Sequence, residues 1–174
     1  MNVTTLRVMF VMLMVAAGTF ILVTAMPAVT ATQFGAAGHP VSSMSRGGYR
    51  IFMLCLAVGI PVLVVALVTL LPRRFQDRVN VPNRDYWFAP ERKDASLAYL
   101  HAFSLVLGGL IAAFMTAMHW LLVRTNASGT PQLDSGLLWT LVGLFVITEG
   151  ACVVAMVRHF GKPPGDARGR NAGG

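Results

Sequence analysis

The chain has 174 residues, of which 55% are hydrophobic and 12% charged, and its formal net charge is +7. That composition leaves no stretch large enough for a separate soluble domain and suits a single membrane-embedded unit. The positive charge does not point to nucleic acid, because the basic residues flank long apolar runs and no basic and aromatic nucleic-acid module is present.

Four apolar runs, about residues 8–25, 51–71, 97–123 and 137–157, each approach the ~20 residues that a helix needs to cross ~30 Å of hydrocarbon. They predict an all-α fold: an integral membrane four-helix bundle over residues 1–160, followed by a disordered cytoplasmic tail over 161–174, where Gly and Pro are frequent. Most basic residues lie at the N-terminus (Arg7), after the second run (Arg73, Arg74, Arg78, Arg84, Arg92, Lys93) or in the tail (Arg158, Lys162, Arg168, Arg170). Only Arg46, Arg50 and Arg124 fall in the other two connections. By the positive-inside rule both termini are cytoplasmic.

The first run, with Arg7 before it and Ala25-Met26-Pro27-Ala28 after it, also has the outline of a secretory signal. It is longer than the usual apolar core of a signal, about 7–15 residues, which favours retention as a span. Residues 26–50 form an outer loop that Pro27, Gly35, Gly38, Pro40, Gly47 and Gly48 should make turn-rich rather than helical. In the second run Pro61 predicts a kink. Cys55 and Cys152 sit at different depths on their helices and are too far apart for a disulfide.

The inner connection, residues 72–96, is dense in charge and carries Tyr86-Trp87-Phe88. Two readings fit it: an aromatic anchor at headgroup level, or a docking surface for a cytoplasmic partner built on Arg84, Tyr86, Trp87 and Arg92. Pro90-Glu91 suits the first turn of the third helix. Along that helix His101, Ser104, Gly108, Ala112, Thr116 and His119 recur at three- and four-residue spacing and make one small, polar face. In a bilayer such a face is a packing seam. His119, beside Trp120, is expected at the outer interface. Asn126-Ala127-Ser128, in the short polar connection 124–136, fits a glycosylation sequon but reads as an ordinary loop.

Glu149 is the one carboxylate well inside an apolar run, roughly 12 Å from the inner end of its helix. It must be neutral, paired or beside a water-filled cavity. Counting from the inner helix ends sets it level with about Leu105, so His101 and Ser104 are its expected partners, either as structural polar glue or as a proton relay. His39 and His159 fall in aqueous flanks, and four His at separate depths make no metal site. No nucleophile and base set, phosphate loop or carboxylate pair is present, so neither an enzyme nor a cofactor is expected.

Met26-Pro27-Ala28-Val29, Gln33-Phe34-Gly35-Ala36-Ala37-Gly38 and Met44-Ser45-Arg46, between the first two runs, resemble the short signature of a bacterial membrane domain of unknown function that also occurs in Sdp-type toxin immunity proteins. Pro27, Phe34 and Gly38 match its Pro, aromatic and Gly, while Gln33 stands where the signature has His. Val81-Pro82-Asn83-Arg84-Asp85-Tyr86-Trp87 and Ala89-Pro90-Glu91-Arg92 resemble a segment of uncharacterised bacterial members of that group. The resemblance covers the first three runs and implies a bacterial membrane protein that senses or protects. It marks Pro27, Gln33, Phe34 and Gly38 as a candidate outer recognition element. This chain lacks the additional spans of the immunity proteins.

The expectation is therefore a non-enzymatic multi-pass protein of a bacterial inner membrane, in contact with the lipid bilayer and a membrane or cytoplasmic protein partner, with a sensing, immunity or envelope-stress role. The alternatives are a small transporter or proton-coupled subunit using Glu149, and a structural accessory of a membrane complex.

Overall fold

A computed structural model of the protein describes residues 3–161, with side chains from residue 14 onward. The tail expected to be disordered thus lies outside the described residues, apart from Gly161, which closes the last helix. Four long helices follow one another: α1 (Val3–Thr24), α2 (Arg46–Arg74), α3 (Lys93–Ala127) and α4 (Ser135–Gly161). The last three are long and apolar enough to cross a membrane. α1 is 22 residues long and covers the first apolar run.

The connection between α1 and α2 is not a string of turns. It folds into an antiparallel hairpin, β1 (Val29–Phe34) and β2 (Pro40–Ser45), in which Thr30 pairs with Met44 and Phe34 with Pro40. β-Branched Val29, Thr30 and Thr32 suit a strand. The reversal Ala36-Ala37-Gly38 is a three-residue loop ending in the left-handed Gly38 (φ +77°), the arrangement in which a turn is followed by a glycine bulge. Gly38 N–H donates to Gly35 C=O and Gly35 N–H to His39 C=O, both at 2.9 Å. Ser45 then caps α2 by accepting from Gly48 N–H, and Arg46 reaches back to the Thr24 carbonyl at the end of α1.

α2 starts earlier than its apolar run, and its irregularity lies just before Pro61 rather than as a simple proline kink. Cys55–Gly59 is one π-helical turn, with Ile60 N–H donating to Cys55 C=O. The spacing of the packed face supplies a reason. Tyr49, Met53, Ala57 and Pro61 are buried, Val65 packs at Gly108 and Thr69 bonds to α3, a run with four residues per step. Each such step overshoots an α-helical turn by about 40°, and one wider turn returns part of that drift.

α3 begins at Lys93 rather than at Pro90, which lies in the preceding turn. It is the central element, touching α1, α2 and α4 and packing most extensively on α2. The face predicted from its sequence is the seam: Ser104, Gly108, Ala112 and His119 are buried. A Cβ on Gly108 would stand 2.6 Å from Val65 Cγ2 and 3.3 Å from the Pro61 carbonyl, so only glycine lets the two backbones come this close. Among the described residues α4 packs chiefly on α3, through contacts such as the Phe114–Phe145 stack at 4.2 Å. α1, α2 and α3 pack on one another, and α4 is laid against α3.

The outward surfaces are apolar. Ile51 is 67% exposed and Ile147 70%, with Leu63, Leu70, Val106, Leu144 and Val146 also largely uncovered. A surface this apolar, on helices of this length, is the kind that faces lipid.

Candidate functional site

The hairpin and the helix ends beneath it form the most elaborated site. The Asn126 side chain accepts from Ala31 N–H (2.8 Å) and donates to Ala31 C=O (3.0 Å) and Leu122 C=O (2.9 Å). One buried amide thus supplies both groups that a neighbouring strand would have offered to β1. Asn126 belongs to the last turn of α3, not to a loop, and is 6% exposed. The hairpin tip is held a second time, because Leu133 N–H donates to Gly38 C=O at 2.9 Å. A Cβ on Gly38 would lie 2.7 Å from the Leu133 carbonyl.

The outer-loop candidates divide by role. Gly38 is a backbone contact. Pro27 accepts from the Thr30 hydroxyl through its carbonyl. Gln33 lies at an irregularity in the strand pairing and is exposed, while Phe34 is half-buried at the end of β1. Gln33 and Phe34 are thus presented on a fixed element.

Under the hairpin, Val23, Met26, Tyr49 and Met53 form an apolar cluster against which Met44 of β2 packs. Beside it, Tyr49 Oη and His119 Nδ1 share a 2.9 Å hydrogen bond and their rings stack. His119 is fully buried: the stripe that carries it is turned toward α2, and Tyr49 supplies its partner. Arg50 lies over the Phe20 ring at 4.4 Å, tying α2 to α1.

His101 and Ser104 are brought together, but their common partner is Thr69 of α2. Thr69 Oγ1 lies 3.1 Å from His101 Nδ1 and 3.2 Å from Ser104 Oγ, and Ser104 Oγ donates to His101 C=O at 2.7 Å. One hydrogen assignment satisfies all three contacts: His101 Nδ1–H donates to Thr69, Thr69 to Ser104, and Ser104 to the carbonyl. Glu149 is not part of this set. The Phe114–Phe145 and Tyr99–Phe160 ring contacts fix the antiparallel register and put Glu149 level with Leu110, about 9 Å along the axis from Ser104. Counting from helix ends failed because those ends are not level: Phe160, at the end of α4, stands beside Tyr99, six residues inside α3. Glu149 Oε1 is enclosed and has no hydrogen-bond partner among the described residues.

At the opposite end of the helices the aromatic connection between α2 and α3 turns back on the chain. Trp87 Nε1–H and the Asn83 amide both donate to the Phe160 carbonyl, at 2.8 and 3.1 Å. Ser96 Oγ donates to Trp87 C=O. His159, expected in an aqueous flank, is exposed yet stacks on Tyr99 at 3.7 Å and on Trp87 at 5.1 Å. Arg92 covers the Tyr86 ring, and Arg84 bonds to Asp85 and to the Asp77 carbonyl. Trp87 therefore ties the connection between α2 and α3 to the end of α4, a third use beyond the anchor and docking surface expected for it.

Asn126, Thr69 and Phe160 escaped the sequence reading. Thr69 carried a signal, as the one hydroxyl in the second apolar run. Asn126 carried one as a polar residue within a turn of the third run's end. Among the described residues no group of three His, Cys, Asp or Glu comes together as a metal site. Comparison with protein-family models, with curated proteins and with solved structures finds no match to this chain.

Proposed function

We propose that this is a non-enzymatic multi-pass protein of a bacterial inner membrane, with four spans and both termini in the cytoplasm, whose outer hairpin is a recognition element for sensing or protection. The Asn126 clamp carries the reading. A loop that merely joined two helices would not need a buried amide bonding both main-chain groups of Ala31, whereas a preformed recognition surface avoids the entropy of ordering on contact. The resemblance to the domain found in Sdp-type immunity proteins falls on the same segment. The concentration of basic residues between α2 and α3 supports the orientation.

Single cysteines at Ser42 and Ser128, in a background lacking Cys55 and Cys152, are expected to react with an impermeant thiol reagent added to intact cells. One at Asn83 is not. Labelling at Asn83 under those conditions would reverse the orientation.

A second reading, proton-coupled transport, is favoured by one observation: the enclosed, unpartnered Oε1 of Glu149 near the middle of α4. The two readings diverge on a pair of variants. Under recognition, Phe34→Ala weakens the protective or sensory phenotype at unchanged abundance and Glu149→Gln leaves it intact; under proton coupling Glu149→Gln abolishes the phenotype and Phe34→Ala spares it.

A further inference from the structure

A two-stranded sheet has two edges, and the two are treated differently here. Arg46 N–H donates to Ala28 C=O, and antiparallel pairs alternate between bonded and outward-facing. The pairs Val29–Ser45 and Ala31–Ser43 therefore turn their main-chain groups away from the ladder. On β1 those of Ala31 are met by Asn126. On β2 the outward Ser43 N–H and C=O meet no group of another element among the described residues. Every residue of β2 except Met44 is exposed, Val41 by 68%.

Sheet edges that stay single are ordinarily guarded by lysine, by other charges or by proline. Val41-Ser42-Ser43-Met44-Ser45 carries none of these. Pro40 stands only at its far end, and the adjacent Arg46 is turned to the Thr24 carbonyl. We infer that the free edge of β2 pairs with β2 of a second copy of this chain, joining two hairpins into one four-stranded antiparallel sheet centred on Ser43. This rests on reading the hairpin as the outer recognition element and names what it recognises.

Three features select a second copy as the occupant. The edge is uncharged, so two copies meet without like-charge repulsion. Self-pairing also supplies each Ser43 N–H with the other copy's Ser43 carbonyl, and the reverse. The third is symmetry. Copies inserted the same way round are related by a two-fold axis along the membrane normal, and edge strands pair antiparallel about a two-fold axis perpendicular to their sheet. The hairpin is laid for this. Its Met44 face packs on the ends of α1 and α2, Ala31 is bonded to the end of α3, and Gly38 to the segment before α4. The Met44 face of the hairpin thus meets the helix ends, while the edge of β2 away from β1 carries none of these contacts.

The test uses the full chain in native membranes, with Cys55 and Cys152 replaced and single cysteines at Ser43 or Val29, treated with a short homobifunctional thiol crosslinker. Ser43→Cys is expected to give chiefly the covalent dimer. Val29→Cys, on the far strand and separated from its counterpart by three strand spacings of about 4.8 Å each, is expected to stay monomeric. In parallel, Ser43→Pro removes the outward N–H without touching a ladder bond; the protein in nanodiscs should fall from two copies to one while the Ala31 amide keeps its exchange protection. Ser43→Cys that labels from outside yet crosslinks no more than Val29→Cys overturns the pairing and leaves the recognition reading standing, as does capture of a different protein at that position. Failure to label from outside overturns the recognition reading itself.

Discussion

Asn126→Ala is expected to free the outer hairpin while leaving the helices assembled. The substitution removes the partner of both Ala31 main-chain groups and one bond to Leu122. A buried polar group left without a partner costs about 1–3 kcal/mol, and a small hairpin has little else to offset two such losses. The remaining ties include the Gly38–Leu133 bond and the packing of Met44, with the Ser45 cap and the Arg46–Thr24 bond at the base of the hairpin. In hydrogen exchange, the Ala31 amide and the β1–β2 ladder should lose most of their protection while the amides of α3 between Leu100 and Ala112 keep theirs. Asn126→Asp is an informative companion. It can still accept from Ala31 N–H but sets a second oxygen against the Ala31 carbonyl, so it should rescue nothing. Unchanged protection of Ala31 in Asn126→Ala would show that water or packing alone holds the hairpin.

The second large effect is expected at Gly108. Adjacent glycines give an internal control, because a Cβ on Gly109 meets nothing within 4 Å, whereas one on Gly108 meets Val65 Cγ2 at 2.6 Å and the Pro61 carbonyl at 3.3 Å. Val65 can shift its methyl, but the Pro61 carbonyl belongs to a helix backbone fixed beside a π turn. Overpacking of this kind costs about 1–3 kcal/mol, against the roughly 1 kcal/mol that alanine gains over glycine in a helix. Gly109→Ala should therefore leave the thermal midpoint in detergent unchanged or raised, and Gly108→Ala should lower it. Gly108→Leu should part α2 from α3 and break the Thr69–His101–Ser104 contacts. Equal midpoints for the two alanine variants would mean that α2 and α3 are not held at this distance in the protein.

The sequence showed which face of the third helix packs but not what it packs against. Ser104, Gly108, Ala112 and His119 announced a seam through spacing and size, which helix geometry makes readable. Its partner depended on azimuth and register between helices, which no single helix encodes. Glu149 drew the eye because a carboxyl in an apolar run is conspicuous, whereas Thr69 is small and bonds to both His101 and Ser104. The hairpin was hidden for a different reason. Its glycines and prolines dominate the composition of residues 26–50, and its short strands are completed by an amide 95 residues away in the chain, a contact that no local pattern announces. Trp87 was recognisable as an aromatic marker of the inner boundary, but the carbonyl that its indole meets lies at the other end of the sequence.

The lateral placement of α4 separates two sets of contacts. α1, the hairpin, α2 and α3 hold one another through Arg46, Asn126, Tyr49–His119 and Thr69, none of which involves α4. α4 adds the Phe114–Phe145 stack and, at its final turn, the Phe160 carbonyl that Asn83 and Trp87 are placed to receive. α4 thus closes a clasp on a core that is held without it, and the clasp needs the Phe160 carbonyl: without that group the Asn83 amide and the Trp87 indole would both lose their acceptor, and the connection between α2 and α3 would lose its tie to the far end of the chain.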